Sequence, residues 1–146
     1  MKRRLGKTAA VILTRGGLFC LSQRTNTEMF SGYWQYPGGR EDSPEETHLQ
    51  IALRELKEET GLTPHPARLN ELGNNIYDTD CESCVLFHLE LHPGEEPQWI
   101  EKHKHNSWRW FPFGMIKGLQ LIEGTYAFVE KVYLDKNKNT CKTCRS

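Results

Sequence analysis

The sequence predicts an α+β fold, with a mixed β-sheet packed against one helix in the middle of the chain and a second helix near its end. Two observations predict it. Runs rich in β-branched residues occur in both halves of the chain and flank one strongly marked helix, and a second helical pattern follows the last run. Elements in this order are typical of a layered α/β or α+β sandwich. The 146 residues are expected to form a single domain, with residues 135–146 as a polar C-terminal tail.

The predicted strands are bounded by turn residues. Residues 7–14 and 18–23 form the first two strands, separated by a Gly-Gly turn. The aromatic stretch 33–36 stops at Pro37-Gly38-Gly39, which breaks regular structure, and a loop is expected before it. Further strands are predicted at residues 69–79, 83–91 and 108–111, and the second helix at residues 125–134.

The central helix has clear start and stop signals. Ser43 is expected to be the N-cap, with Pro44 in the first turn and Glu46 completing a capping box. Gly61 is a natural residue to end the helix. The apolar side chains repeat at helical spacing and predict the buried face, which comprises Leu49, Ala52, Leu53, Leu56 and Thr60.

Composition and charge exclude several classes of function. Lysine and arginine together number 19, as do aspartate and glutamate, so the net charge of zero argues against a protein that binds nucleic acid through bulk positive charge. No apolar run approaches the roughly 20 residues of a membrane helix, and no signal peptide is apparent. Five cysteines, an odd number, favour free thiols in a reducing compartment. We therefore expect a cytoplasmic protein, with the nucleus as the alternative.

Three glutamates on the central helix form the most informative cluster. Glu55, Glu58 and Glu59 fall within one arc beside the apolar stripe, where like charges repel one another. Mg²⁺ or Mn²⁺ would relieve that repulsion, because both prefer carboxylate oxygens and keep water for a phosphate substrate. The two glycines before the helix, Gly38 and Gly39, offer backbone that can approach an anion or a metal. A solvated charged face with Glu–Lys and Arg–Glu pairs is the alternative.

The same segment resembles the Nudix box, G-x5-E-x7-R-E-U-x-E-E-x-G-U, in which U is aliphatic. The second half of the box is matched at every defined position, and the first half has six residues instead of five after its glycine, as Gly39-x6-Glu46-x7-Arg54-Glu55-Leu56-x-Glu58-Glu59-x-Gly61-Leu62. We place the extra residue in the loop 40–44, because an insertion within the helix would rotate the carboxylates by about 100°.

The resemblance extends to most of residues 7–134. FSGYWQYPGG at residues 30–39 resembles the segment before the box in MutT-like nucleotide pyrophosphohydrolases. LSQR at 21–24 and WRWFP at 108–112 resemble their second and late strands. The sequence is therefore identified as a member of the Nudix family, in its MutT-like branch.

The resemblance implies an α/β/α Nudix sandwich and a magnesium- or manganese-dependent hydrolase. The implied substrate is a small nucleotide, most often a (d)NTP, including oxidised or modified ones, which is cleaved to (d)NMP and pyrophosphate. A hydrolase of mRNA 5′ caps or RNA 5′ ends is one alternative, and a non-catalytic nucleotide-binding module is another. No membrane partner is expected, nucleic acid is expected only for the cap-hydrolase alternative, and a homodimer is compatible with the sequence.

The resemblance also implies roles for individual residues. The expected metal ligands are Gly39, Glu55, Glu58, Glu59 and Glu101. The expected catalytic residues are Arg54, which orients a carboxylate, and Glu55 and Glu58, either of which can be the base. The expected substrate-binding residues are Arg24, Gln35 and Gly38. A solvated loop glutamate is the alternative for Glu101, and a surface arginine the alternative for Arg24.

One feature lies outside the family pattern. The sequence has two C-x2-C pairs, Cys81 with Cys84 and Cys141 with Cys144. This spacing can bind Zn²⁺ as a four-cysteine site. The alternative, which we favour, is that the thiols have no metal partner.

Overall fold

The first strand, β1 (Lys7–Arg15), lies at the centre of the sheet because both of its faces are apolar. Val11, Ile12 and Leu13 are fully buried, although consecutive residues of a strand point to opposite faces. Both sides of the sheet must therefore be covered, as the predicted sandwich requires. The protein is described by a computed structural model over residues 5–25 and 30–144, with side chains described as far as Asn137.

The described residues contain seven strands, one short 3₁₀ helix and three α-helices, joined by loops. The strands after β1 are β2 (Leu18–Gln23), β3 (Trp34–Gln35), β4 (Gly38–Arg40), β5 (Asn70–Asn74), β6 (Ser83–Glu90) and β7 (Arg109–Pro112). The helices are α1 (His48–Thr60), the 3₁₀ helix (Pro66–Arg68), α2 (Phe113–Ile116) and α3 (Thr125–Cys144). None of these helices is long and apolar enough to cross a membrane.

The sheet is mixed, with strand order β3-β2-β1-β6-β5. The long β1–β6 pair is parallel, and β5 returns antiparallel to β6. The other edge of β1 is shared, because β2 pairs with its second half and β4 with its first half, where Ala9 lies opposite Gly39. β7 extends the sheet beside β2. The glycine pair is thereby fixed next to the central strand.

Each face of the sheet carries its own apolar cluster. One cluster joins Val11 and Leu13 of β1 to Ile51 and Leu56 of α1. The other joins Ile12 to Val129 and other residues of α3. The fold is therefore the predicted sandwich of a mixed sheet between helices. The predicted α1 face is largely correct, except that Ile51 is buried and Leu49 and Leu53 are partly buried.

The predicted C-terminal end of α1 is correct, and its predicted N-terminal end is wrong. The helix ends at Gly61, which has φ 77° in the left-handed region, as predicted. Its predicted N-cap is wrong, because Thr47 caps the helix and shares a capping box with Gln50. Ser43 instead accepts a hydrogen bond from the backbone of Glu46 in a turn before the helix.

Two further elements differ in length from the prediction. α3 continues to Cys144 rather than ending near residue 134, since the polar segment contains no glycine or proline to break it. Hence most of the predicted tail is helical. β5 ends at Asn74, because the Asn75 side chain accepts a hydrogen bond from the backbone of Tyr77 and turns the chain.

Candidate active site

The glycine pair brings the backbone of β4 into contact with the carboxylates of α1. The Gly38 amide donates a hydrogen bond of 2.7 Å to Glu59 Oε2. A Cβ atom at Gly39 would overlap the carboxylate of Glu55, and one at Gly38 would overlap the Ala9 carbonyl oxygen. Only glycine permits this close approach, so these two positions fix α1 against the sheet.

The three predicted glutamates of α1 differ sharply in burial. The side chain of Glu58 is 50% exposed and that of Glu55 is 15% exposed, whereas Glu59 is buried at 6%. Burial raises the pKa of Glu55, although Arg54 opposes the rise. Burial also raises the pKa of Glu59 well above its usual range, and the neighbouring charge of Glu55 adds to that rise. Two partly desolvated carboxylates therefore repel each other on one helix face.

Arg54 joins α1 to the loop before it. Its guanidinium donates hydrogen bonds of 2.8 and 3.1 Å to the two oxygens of Glu46, and one of 2.8 Å to the Arg40 carbonyl. It also donates one of 2.8 Å to Glu55. The bond from Arg54 lowers the pKa of Glu46, and the bond to Glu46 raises that of Arg54. The guanidinium thereby holds Glu55 in place.

The extra residue of the Nudix-like segment lies outside the helix. α1 is a regular helix from His48, so residues 40–46 form the end of β4 and the loop that follows. Glu46 still reaches Arg54 across this longer loop. The spacing of the carboxylates on α1 is therefore unaffected by the insertion, as predicted.

Glu101 approaches α1 from a different part of the chain. Its charge raises the pKa of both Glu55 and Glu59, and its carboxylate pairs with Lys104 at 3.1 Å. The indole of Trp99 donates a hydrogen bond to the His105 carbonyl and holds this loop closed. The structure therefore places Glu101 close enough to α1 for its charge to act on Glu55 and Glu59.

A cavity of about 230 Å³ opens on the other side of the glycine pair. Arg24, Gln35 and Gly38, which were predicted to bind substrate, all line it. Arg24 donates a hydrogen bond of 2.8 Å to Gln35 Oε1. Burial lowers the pKa of Arg24, and the charge of Glu59 opposes that effect, so the field of the helix carboxylates reaches this guanidinium. The indole of Trp34 forms part of the apolar wall.

One wall of the cavity was missed by the sequence analysis. It comes from the segment after β5 and from the start of β6, and it contains Asn75, Asp78, Asp80, Cys81 and Cys84. Asn75 is buried, and its amide donates a hydrogen bond of 2.9 Å to the Glu123 carbonyl. Asn75 and Asp78 fall within the predicted strand 69–79, so only the C-x2-C spacing of Cys81 and Cys84 marked this segment in the sequence.

The donor atoms of Asp78, Cys81 and Cys84 all lie within 4.8 Å of one another. Burial raises the pKa of Cys81, and raises that of Cys84 to about 12. The carboxylates of α1 do not form such a close group in the described part of the chain. The two clusters therefore differ both in donor type and in spacing.

The second cysteine pair lies on the last turns of α3. Cys84 lies near the start of β6, whereas Lys136 of α3 contacts Glu90 at its other end, roughly 20 Å away along the strand. The backbone of α3 continues past Lys136 toward Cys141 and Cys144. The side chains of these two cysteines lie outside the described residues, and so does the four-cysteine zinc site that the sequence offered.

Comparison with known proteins agrees with this architecture. The profile of the NUDIX domain family matches residues 4–132. The 8-oxo-dGTP diphosphatase of Haemophilus influenzae is 27% identical over 135 residues, which cover 88% of this chain and 98% of that protein.

Two crystal structures have the same fold. A MutT NUDIX hydrolase from Burkholderia pseudomallei has a TM-score of 0.69 at 24% identity, covering 90% of this chain and 99% of its own. An Ap4A hydrolase of Caenorhabditis elegans, in a binary complex, has a TM-score of 0.72 at 22% identity, covering 91% and 98%.

Proposed function

Because the chain belongs to the Nudix family of hydrolases, we propose that it cleaves a nucleoside triphosphate to the monophosphate and pyrophosphate, with Mg²⁺ or Mn²⁺ held on α1. The observation that supports this most is the burial of Glu55 and Glu59 beside the glycine pair, at the edge of a cavity that takes Arg24 and Gln35. Anionic phosphates would lie between the two regions, with the base in the cavity.

The donor set on α1 fits a hard divalent cation. All candidate ligands are oxygens, from Glu58, Glu59, Glu101 and the Gly39 carbonyl, with Glu55 adjacent. Burial and the neighbouring charge of Glu55 raise the pKa of Glu59, and a bound cation would oppose both effects. The oxygen atoms of these ligands are spaced more widely than the donor atoms of Asp78, Cys81 and Cys84. That spacing suits an ion that keeps several of its own waters. When bound, the cation neutralises charge on the phosphoryl oxygens and acidifies water.

The protein side chains divide the remaining tasks. We assign the role of general base to Glu55, since its burial raises the pKa toward the range in which a carboxylate accepts a proton from water. Arg54 is a positioning residue, because its bonds to Glu46 and Glu55 fix the carboxylate before the substrate arrives. Glu58 is the alternative base, since its exposed carboxylate is within reach of solvent.

The cavity supports recognition of a single base. Gln35 Oε1 accepts the bond from Arg24, so the amide NH₂ is the group that remains to donate to a base edge. Trp34 offers an aromatic surface nearby. The cavity volume of about 230 Å³ lies below the roughly 300–1,000 Å³ of larger ligand sites, which favours one nucleobase over two.

Hydrolysis of a nucleotide panel in ¹⁸O-water tests this proposal. The panel comprises the common (d)NTPs, 8-oxo-dGTP, Ap4A and a capped RNA, each with Mg²⁺. We expect pyrophosphate as the first product from a (d)NTP, with the label identifying the attacked phosphorus. Orthophosphate as the first product, or a clear preference for Ap4A or capped RNA, would refute the assignment. Binding without turnover of any substrate would indicate a non-catalytic module.

A variant at Gln35 tests the base-recognition part of the proposal. In Gln35→Ala the polar edge of the bound base loses its partner, so the ranking of bases is expected to change by about 1–3 kcal/mol, or roughly 5- to 150-fold in kcat/KM. Gln120→Ala, an exposed glutamine that does not line the cavity, is the matched control. An unchanged ranking in Gln35→Ala would remove this residue from the base pocket.

A further inference from the structure

We propose that Asp78, Cys81 and Cys84 form a second cation site, which takes Zn²⁺ or another thiophilic divalent ion in the wall of the cavity. This site is separate from the oxygen ligands on α1 and does not depend on the proposed hydrolase activity. It combines one carboxylate with two thiols, a donor set that favours zinc over magnesium.

The spacing of the donor atoms is the first argument. The carboxylate oxygen and both sulfurs already lie within 4.8 Å of one another. Tetrahedral Zn²⁺, with bonds of about 2.0–2.3 Å, holds its ligand atoms roughly 3.4–3.8 Å apart. Side-chain rotations alone can close that difference. The C-x2-C spacing of Cys81 and Cys84 is also the one that structural zinc sites use.

The surrounding backbone holds the three donors in place. Asn74 Oδ1 accepts a hydrogen bond of 2.8 Å from the backbone N–H of Cys84. The backbone N–H of Asn75 donates one of 2.7 Å to the Cys84 carbonyl. Asp78 closes the turn, because its carboxylate accepts from the Asp80 amide and its carbonyl accepts from the Cys81 thiol. The ligands are therefore largely positioned before any ion binds.

The site has room for one more ligand. All three side chains line the cavity, so the fourth position of a tetrahedral ion can be filled from the cavity by water or by a bound small molecule. Both thiols are buried, and each must lose its proton when the ion binds. The result is a three-residue site with an open position, rather than the closed four-cysteine site.

Metal titration of the full-length protein, purified without an affinity tag, tests the proposal. We expect one equivalent of Zn²⁺ to bind in the presence of excess Mg²⁺. Co²⁺ in its place should give thiolate charge-transfer absorption, which oxygen ligands on α1 cannot produce. The Cys81→Ser and Cys84→Ser variants should each weaken that absorption, since one thiolate remains, and the double variant should lose it. Asp78→Asn should weaken binding at least about tenfold, since even outer-shell changes cost 10- to 100-fold.

Matched variants separate this site from the other candidates. Cys141→Ser/Cys144→Ser should retain the zinc equivalent, as should Glu58→Gln and Cys20→Ser. Circular dichroism without metal checks that each variant is folded, and Asp78→Asn provides a second test if a cysteine variant is unfolded. Three results would overturn the proposal: no thiolate absorption with Co²⁺, loss of zinc from the C-terminal double variant, or a Cys81–Cys84 disulfide that forms in air while the reduced protein binds no zinc.

Discussion

Two glutamates near the opposite ends of α1 have opposite electrostatic environments. Glu46, just before the helix, accepts two hydrogen bonds from Arg54, and its pKa is lowered. Glu59, in the last turn, is buried beside Glu55, and its pKa is raised. The first carboxylate is stabilised by a partner that the fold supplies. The second is buried beside another carboxylate, which is expected where a cation binds rather than where a fold is stabilised.

The comparison predicts that activity and stability depend on different ends of the helix. The Glu46–Arg54 end should control stability and the position of Glu55. The Glu55–Glu59 end should control turnover and oppose stability when no cation is bound. Each of the following changes tests one side of that division.

The largest effect is expected from removing a charge at the carboxylate cluster. Glu58→Gln and Glu55→Gln should each lower turnover by about 10²–10⁴, the range for loss of a catalytic acid–base or metal-binding group. Folding should be retained, because repulsion between like charges falls. Steady-state kinetics with Mg²⁺ measures the change. Glu45→Gln, an exposed position before the helix, should keep full turnover. Near-normal turnover in both site variants would contradict the site assignment.

The glycine pair separates stability from activity most directly. Gly38→Ala places a methyl group against the Ala9 carbonyl oxygen, which cannot move, so the loss of stability should be about 1–3 kcal/mol or more. In Gly39→Ala the nearest atoms to the methyl group belong to the Glu55 carboxylate, a side-chain end rather than backbone, so turnover should fall more than stability. Urea denaturation and kinetics measure both. Gly114→Ala, which meets no atom within 4 Å, should be nearly neutral. If Gly38→Ala and Gly39→Ala changed stability and turnover to the same extent, the proposed division between the two would be refuted.

Replacing Arg54 should lower the stability of the helix end where Glu46 lies. Arg54→Lys keeps a positive charge but loses the paired bonds to Glu46, so stability should fall by about 1–2 kcal/mol. The Glu46→Gln variant should give a similar loss through the same bonds. A double-mutant cycle measures the coupling. Strictly additive effects of the two changes would show that the pair is not energetically linked.

The smallest predicted effect is a pH-dependent change in Tm. The raised pKa of Glu59 means that the folded state without metal holds this proton more tightly than the unfolded state. That contribution to stability is fully present below the unfolded pKa and is lost as pH rises through the folded pKa. Glu59→Gln in EDTA should therefore be more stable than the wild type at pH 7–8, by a few degrees, and the difference should shrink toward pH 4.5.

A variant that changes no titratable group provides the control for that measurement. Gln120→Ala, at an exposed position, should give a Tm difference that does not vary with pH over the same range. A Tm difference for Glu59→Gln that is constant with pH, or that grows as pH falls, would contradict the raised pKa.

The placement of the three glutamates on α1 could be predicted because it depends on local periodicity, and their roles as ligands and base stay predictions. Glu55, Glu58 and Glu59 share a face by helical spacing alone, and Gly61 ends the helix by its own conformational freedom. The N-cap was mispredicted because two capping sequences follow each other. A contact distant along the chain decides between them, since Arg54 occupies the side chain of Glu46.

The wall of the cavity could not be predicted from local pattern. Cys81 and Cys84 reach the glycine pair only because β6 pairs in parallel with β1, which lies more than 70 residues earlier in the chain. Asn75 and Asp78 fall within the predicted strand 69–79, whereas in the structure β5 ends at Asn74 and both residues line the cavity. The extended α3, in contrast, could have been predicted from the lack of glycine and proline after Thr125.

The most direct test of the central claim is the effect of Mg²⁺ on Tm at pH 8. A cation that relieves the repulsion between Glu55 and Glu59 should raise the Tm of the wild type progressively with Mg²⁺ concentration, with about 2.7 kcal/mol gained at 100 times Kd. Glu58→Gln and Glu59→Gln should lose most of this shift together with turnover, whereas Cys84→Ser should keep the shift. Full Mg²⁺-dependent turnover without a Tm shift, or an equal shift in all variants, would contradict the account.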